Sequence, residues 1–367
     1  MANVSMPEVI LDSLNDGLYV CDRERRIIFW SKSAERITGW AAADVVGHRC
    51  QDNILCHVDK DGRCLCGEEF CPLHRSMVTD RPSNCPVIIV GQGKNGNRIP
   101  MVVSVAPLHN ETGTVVGGVE TFHDISETYS DLERAKRIQT LSLDQDLPHD
   151  NRVAFTSIYL PHDMIGGDYF AIRKLTPDKY GFFIADVMGH GVAAALHTMH
   201  LSSLWNRYCH TLTQPAEFAR QINRELCRVV RDESFATAIC GILDAGDRSV
   251  RIASAGGPSL LLIRANGRAE EVGTQGLPFG MIENAEFDEC RIDCAPGDCL
   301  LLFTDGAVEI QDSHGQMLGP EGLIGLLPVL GYPETPLRVE PLQQALLSFS
   351  NGIRLEDDLT LLEIRFS

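Results

Sequence analysis

The spacing of apolar and polar positions divides the chain into three stretches. In the first, Leu14 to Asp22 forms an apolar strand after a turn, and Arg26 to Trp30 reads as its hairpin partner. Ala34 to Trp40 has the spacing of a short helix that Gly39 stops. Cys85 to Val90, Arg98 to Pro107 and Val115 to Asp124 then alternate or run apolar, separated by turns such as Asn95-Gly96. In the second stretch the period lengthens. Ile125, Tyr129, Leu132, Ala135, Ile138 and Leu141 recur every three or four residues amid charges, which predicts a helix with one apolar stripe ending near Leu143. Such a stripe either pairs in parallel with a second copy, making a homodimer, or lies against its own domain.

The third stretch begins after Pro148, where strands alternate with two long helices. Lys179 to Ala185, Phe235 to Leu243, Ser249 to Ala255, Ser259 to Arg264, Asp298 to Phe303 and Leu359 to Phe366 read as strands, and Val192 to Cys209 and Pro215 to Arg231 as helices. Many antiparallel strands with helices outside imply a layered α+β sandwich. Val187 to Asn206 lacks Asp, Glu, Lys and Arg over the length of a membrane span, yet its three His, two Ser and two Gly favour a buried helix.

At 367 residues the chain suggests two or three domains. A hydrophobic fraction of 44% and a charged fraction of 22% fit a folded protein, and the net charge of -18 argues against a nucleic-acid partner. The N-terminus has no basic region followed by an apolar run, so a secretory signal is not expected. Thirteen Cys without a small-domain framework suggest a reduced, cytoplasmic protein rather than a disulfide scaffold.

Four acidic stretches carry the candidate chemistry: Ile165-Gly166-Gly167-Asp168-Tyr169, Asp186-Val187-Met188-Gly189-His190-Gly191, Thr304-Asp305-Gly306 and Glu356-Asp357-Asp358-Leu359-Thr360. Each is expected where a strand ends. Carboxylates converging there can hold two hard divalent cations and leave room for water. Taken singly, each motif is equally a solvated turn. No Cys is followed six positions later by Arg, and Gly91-Gln92-Gly93-Lys94 lacks the spacing of a nucleotide P-loop. His190 is a candidate general acid or phosphate contact, or simply part of a tight turn.

Cys50, Cys56, Cys64, Cys66 and Cys71 lie close together with His57 and His74. At that density they suit zinc, an iron–sulfur cluster or redox-active thiols, although irregular spacing leaves small buried hydrophobes as the alternative.

Residues 8–125 resemble a PAS domain in strand and helix order, with Ser31 or Ser33 where the family usually has Asn at a helix start, and a Cys-rich insertion around Cys71-Pro72-Leu73. Residues 126–145 resemble a signalling helix. From about Ser142 to Ser367 the ordered motifs Gly-Gly-Asp-Tyr-Phe, Asp-Val-Met-Gly-His-Gly, Phe-Thr-Asp-Gly and Asp-Asp-Leu-Thr resemble the PPM family of metal-dependent Ser/Thr phosphatases in its SpoIIE-type branch. This implies an N-terminal PAS fold, a helical linker and, over 146–367, an αββα sandwich.

By that resemblance Asp168, Asp186, Asp305 and Asp357 are catalytic, and the metal ligands for two Mn or Mg ions are Asp168, Asp186, the carbonyl of Val187, Asp305, Asp357 and Asp358. The implied substrate is a phosphoserine or phosphothreonine protein, an anti-sigma-factor antagonist in a partner-switching pathway. Ala171 replaces an acidic residue common after the first motif, and Ala255-Gly256-Gly257-Pro258 lacks a His frequent in that loop. A second function class, a regulator that binds partners through the phosphatase-like fold without catalysis, is opposed by the intact acidic motifs.

Overall fold

The structure is a computed structural model that describes the chain except residues 1–10, 12, 60–61, 68–69, 84–86, 144–145, 190, 230–233, 258–259 and 352–356. Two compact units emerge, Met1–Asp131 and Leu132–Ser367. Among the described residues no helix is long and apolar enough to cross a membrane.

The first unit is an antiparallel sheet of β1 (Gly17–Asp22), β2 (Ile27–Trp30), β3 (Val87–Gln92), β4 (Arg98–His109) and β5 (Val115–Asp124), in the order β2-β1-β5-β4-β3. Short helices α1 (Lys32–Thr38), α2 (Ala42–Val45) and α3 (Pro72–Thr79) lie between the second and third strands. Of the two serines considered for the helix start, Ser31 is the cap: its hydroxyl oxygen accepts from Ala34 N at 3.1 Å and from Leu18 N at 3.0 Å, tying α1 to β1. Gly39 ends α1 at φ 75°, in the left-handed region a Cβ disfavours. Tyr19, Trp30, Ile89, Met101 and Phe122 are buried in the core of this unit.

Helix α4 (Ser126–Leu143) passes from one unit into the other as a continuous element. Its stripe is covered unevenly: Ile125, Tyr129, Leu132 and Ala135 are half-buried. Toward its C-terminal end the buried residues are Gln139 and Leu143, while Ile138 and Leu141 are 58% and 76% exposed.

The second unit stacks two five-stranded sheets. One runs β13-β10-β9-β8-β7, from β7 (Asp168–Lys174), β8 (Lys179–Val187), β9 (Ala236–Asp244), β10 (Ser249–Ala255) and β13 (Cys290–Asp293). The other runs β12-β11-β14-β15-β6, from β6 (Val153–Leu160), β11 (Leu260–Ile263), β12 (Ala269–Val272), β14 (Cys299–Phe303) and β15 (Leu359–Phe366). Inward side chains of both sheets, including Phe182, Ile239, Ile252, Leu262, Leu300 and Leu362, make the middle layer. Helices α5 (Val192–Tyr208) and α6 (Pro215–Val229) cover the first sheet through Phe183, Trp205 and Phe218, whose rings stack or meet edge to face at 5.4 to 6.1 Å. Helices α7 (Gly319–Leu326) and α8 (Val339–Phe349) cover the second sheet through Leu323, Leu342 and Leu346. The layers are therefore helix, sheet, sheet, helix. The charge-free stretch at Val187 to Asn206 runs from the end of β8 into helix α5, which buries one face through residues such as Leu201 and Trp205 and leaves Val192 and Leu196 exposed.

Candidate metal centre

Asp168 opens β7, whereas the sequence reading put an acid at each strand end. The difference is one of direction. In an antiparallel pair the start of one strand and the end of the next share a sheet edge, and Asp168 is the register partner of Asp186 near the end of β8. Asp305 follows β14 in the single turn Asp305–Ala307, and Asp357-Asp358 lead into β15, the neighbour of β14 in the second sheet. All four motifs thus meet at one edge of the sandwich.

Asp168 is 1% exposed. Its Oδ2 accepts the hydroxyls of Thr304 at 2.8 Å and Thr360 at 2.6 Å, while its Oδ1 has no hydrogen-bond partner. Asp305 is half-buried, and its Oδ1 is likewise without one. Asp358, 3% exposed, differs: one oxygen accepts His162 N at 2.6 Å and the other accepts Gly167 N. Asp357 is exposed, with one oxygen accepting Asp358 N at 2.8 Å. A Cβ at residue 167 would lie 2.9 Å from the Val187 carbonyl oxygen, so the loop approaches that carbonyl only because residue 167 is Gly.

The acids repel one another. Burial, then the charge of Asp186, pushes the Asp168 carboxyl well above its usual range. Burial, then Asp305, Asp357 and Asp358, pushes Asp186 up to about 8. Asp305 is pushed up to about 6 by burial, then by Asp357 and by Glu309. Burial also raises Asp358 against the two backbone amides that lower it. Among the described residues no group of three or more His, Cys, Asp or Glu already stands as a metal cage. The site instead holds orphaned hard oxygens and uncompensated negative charge. Divalent cations with oxygen ligands relieve both, so the residues present fit Mn or Mg.

Residues that motif reading missed complete the loop. Gln139 on α4 takes both polar groups of Gly166: its Oε1 accepts Gly166 N at 3.1 Å, and its Nε2 donates to Gly166 O at 2.6 Å and to Thr198 Oγ1 at 3.0 Å. A Gln on a helix face carries no signal of that partnership. Thr304 and Thr360 lay inside quoted motifs, but their shared partner is far away in sequence. His190 lies outside the described residues, as does Cys85.

In the first unit, Cys50, Cys56 and Cys66 are partly buried, Cys71 is buried and Cys64 exposed, all as free thiols. Burial raises the Cys50, Cys66 and Cys71 thiols, Cys66 to about 12. Among the described residues no group of three that could hold a metal ion includes them. Beside them sit His57 and Glu120, 3% and 1% exposed, with Nε2 and Oε1 3.7 Å apart. Burial lowers His57 to about 4 and raises Glu120 to about 8, partly offset by the Tyr19 hydroxyl. Burial thus favours the uncharged form of each.

The fold of this two-sheet sandwich is similar to that of a solved PP2C domain. The solved structure of the SiaA-PP2C domain of Pseudomonas aeruginosa matches it with a TM-score of 0.58 at 22% identity, over 66% of this chain and 97% of that one. Residues 176–367, more than half the chain, match the model described as Stage II sporulation protein E (SpoIIE), and the chain belongs to that family. Residues 15–127 match a PAS domain model. Phosphoserine phosphatase RsbP of Bacillus subtilis (strain 168) is 29% identical over 186 residues, which make up 50% of this chain and 46% of RsbP. Phosphoserine phosphatase RsbU of the same organism is 24% identical over 240 residues, 65% of this chain and 71% of RsbU.

Proposed function

We propose that the protein is a metal-dependent signalling phosphatase that removes phosphate from serine or threonine on a partner protein. The observation that carries this is the meeting of Asp168, Asp186, Asp305, Asp357 and Asp358 at one edge of the sandwich with two carboxylate oxygens left without partners. Asp168, Asp186, the Val187 carbonyl, Asp305 and Asp357 would hold two Mn or Mg ions. When bound, such ions lower the proton affinity of water and neutralise charge on the phosphoryl oxygens. Asp358 is better used as a clamp: with both oxygens on backbone amides, it fixes the chain at His162 and Gly167.

The names of RsbP and RsbU, phosphoserine phosphatases, support a phosphoserine substrate. We assign the protein substrate to the anti-sigma-factor antagonist class of partner-switching pathways. Residues 8–125 would sense a signal, residues 126–145 transmit it, and residues 146–367 hydrolyse. Continuity of α4, and the grip of Gln139 on Gly166 two residues before Asp168, support transmission by a shift in the population of metal-competent states. Exposed Ile138 and Leu141 support pairing of α4 between two copies.

The test is phosphate release from a phosphoserine protein with Mn2+ present, comparing wild type with Asp186→Asn. Hydrolysis that requires Mn2+ and Asp186 is expected. A folded wild-type protein that binds the phosphoprotein without hydrolysing it would replace the enzyme by the non-catalytic regulator.

A further inference from the structure

Thr304 ends the segment leading from β14 to Asp305, and Thr360 is the second residue of β15. Both are fully enclosed, at 3% and 0% exposure. Their backbones pair, with Thr304 N donating to Thr360 O at 3.1 Å. Thr360 N also donates to Thr304 Oγ1 at 3.0 Å. That last bond matters, because a hydroxyl oxygen that already accepts from a fixed backbone donor has its own proton steered elsewhere. The proton goes to Asp168 Oδ2, and Thr360 Oγ1 donates to the same atom. Two hydroxyls of the second sheet thus saturate one oxygen of an aspartate in the first sheet. The other oxygen, Oδ1, is left buried with no partner.

We propose that Thr304 and Thr360 are positioning residues that decide which oxygen of Asp168 faces the cations and hold the carboxylate in that rotation. A carboxylate with four lone-pair sites and one buried, unrestrained torsion has several ways to turn, and the hydroxyl pair leaves one. Outer partners of a ligand commonly set metal affinity in this way, their loss weakening it about 10- to 100-fold. The inference rests on the metal-centre reading above.

The experiment measures Mn2+ binding to the full chain by isothermal titration calorimetry, without substrate. The Thr304→Val, Thr360→Val double variant is expected to bind Mn2+ about 10- to 100-fold more weakly. The Thr304→Ser, Thr360→Ser double variant, which keeps both hydroxyls, is expected to stay within a few-fold of wild type. Should the double valine variant fail to fold, the single variants Thr304→Ala and Thr360→Ala read the same quantity. Because they share one acceptor oxygen, each is expected to weaken binding by more than half, on a logarithmic scale, of what both do together. Wild-type affinity in the valine or alanine variants, or an equal loss in the serine variant, overturns this inference while the metal centre stands. Undiminished binding by Asp168→Asn overturns both.

Discussion

Each unit of this protein buries a carboxylate with an oxygen that no donor reaches, and the two resolve the problem differently. In the first unit Glu120 faces His57, and burial drives each toward its uncharged form. In the second, Asp168, Asp186 and Asp305 crowd together, and their mutual repulsion adds to burial. Protons can quiet Glu120 one at a time. A cluster of several acids anchored by threonine hydroxyls and backbone amides is organised for a larger positive charge. Burial of a carboxylate alone therefore does not mark a cation site; what sets the proposed site apart is convergence of like charges with selected oxygens left open.

The sharpest way to break this contrast is to remove the central acid. Asp186→Asn is expected to lower Mn2+-dependent phosphate release about a thousandfold, the equivalent of several kcal/mol of lost charge stabilisation. Glu120→Gln is expected to leave catalysis by the stimulus-free enzyme within a few-fold of wild type. A loss from Glu120→Gln as large as that from Asp186→Asn, in steady-state assays of both, would erase the distinction between the two regions.

Next in size is Gln139→Ala. It strands the Gly166 amide and carbonyl, at about 1 to 3 kcal/mol for buried groups left unpaired, and loosens the loop that carries Asp168. Urea unfolding of the second unit and the Mn2+ concentration for half-maximal activity are both expected to shift, toward lower stability and higher Mn2+ demand. A shift in stability with no change in Mn2+ demand would confine Gln139 to packing.

The smallest effect concerns pH. Glu120 has a folded-state value raised to about 8, so the folded form holds its proton more tightly than the unfolded chain. The stability it contributes is complete below the unfolded carboxyl value and is lost as pH rises through about 8. His57, lowered to about 4, acts oppositely on the acid side, contributing stability above its unfolded value that is lost as pH falls toward about 4. Melting of the first unit is thus expected to weaken from pH 6 to pH 9, and Glu120→Gln to flatten that limb. An unchanged alkaline slope in the variant would show that Glu120 is not its source.

Much of this architecture was legible because period and burial agree. Lys179–Val187, Cys299–Phe303 and Leu359–Phe366 are near-continuous apolar runs, and each is a central strand buried on both faces. The short edge strands Ala269–Val272 and Cys290–Asp293 were not, since four residues with one covered face carry little pattern. Gly319–Leu326 was also unread as a helix: three Gly and a Pro in eight residues argue for a loop, and packing of Leu323 overrides that propensity. At the site, the acids were legible by type and by their place beside strands. Their partners were not, because Thr304, Thr360 and Gln139 act on atoms contributed by distant segments, and Asp358 reads like its neighbour until its two backbone donors are seen.

The rung shared by Asp168 and Asp186 constrains a remote part of the chain. Residues 175–178 turn β7 into β8 at the far end of the hairpin, roughly 20 Å away at about 3.3 Å per residue, closed by Leu175 N donating to Lys179 O at 2.8 Å. Adding or deleting a single residue there would slide one strand by a step and turn its side chains to the opposite face. The length of an ordinary surface turn is in this way tied to whether Asp168 and Asp186 stand side by side.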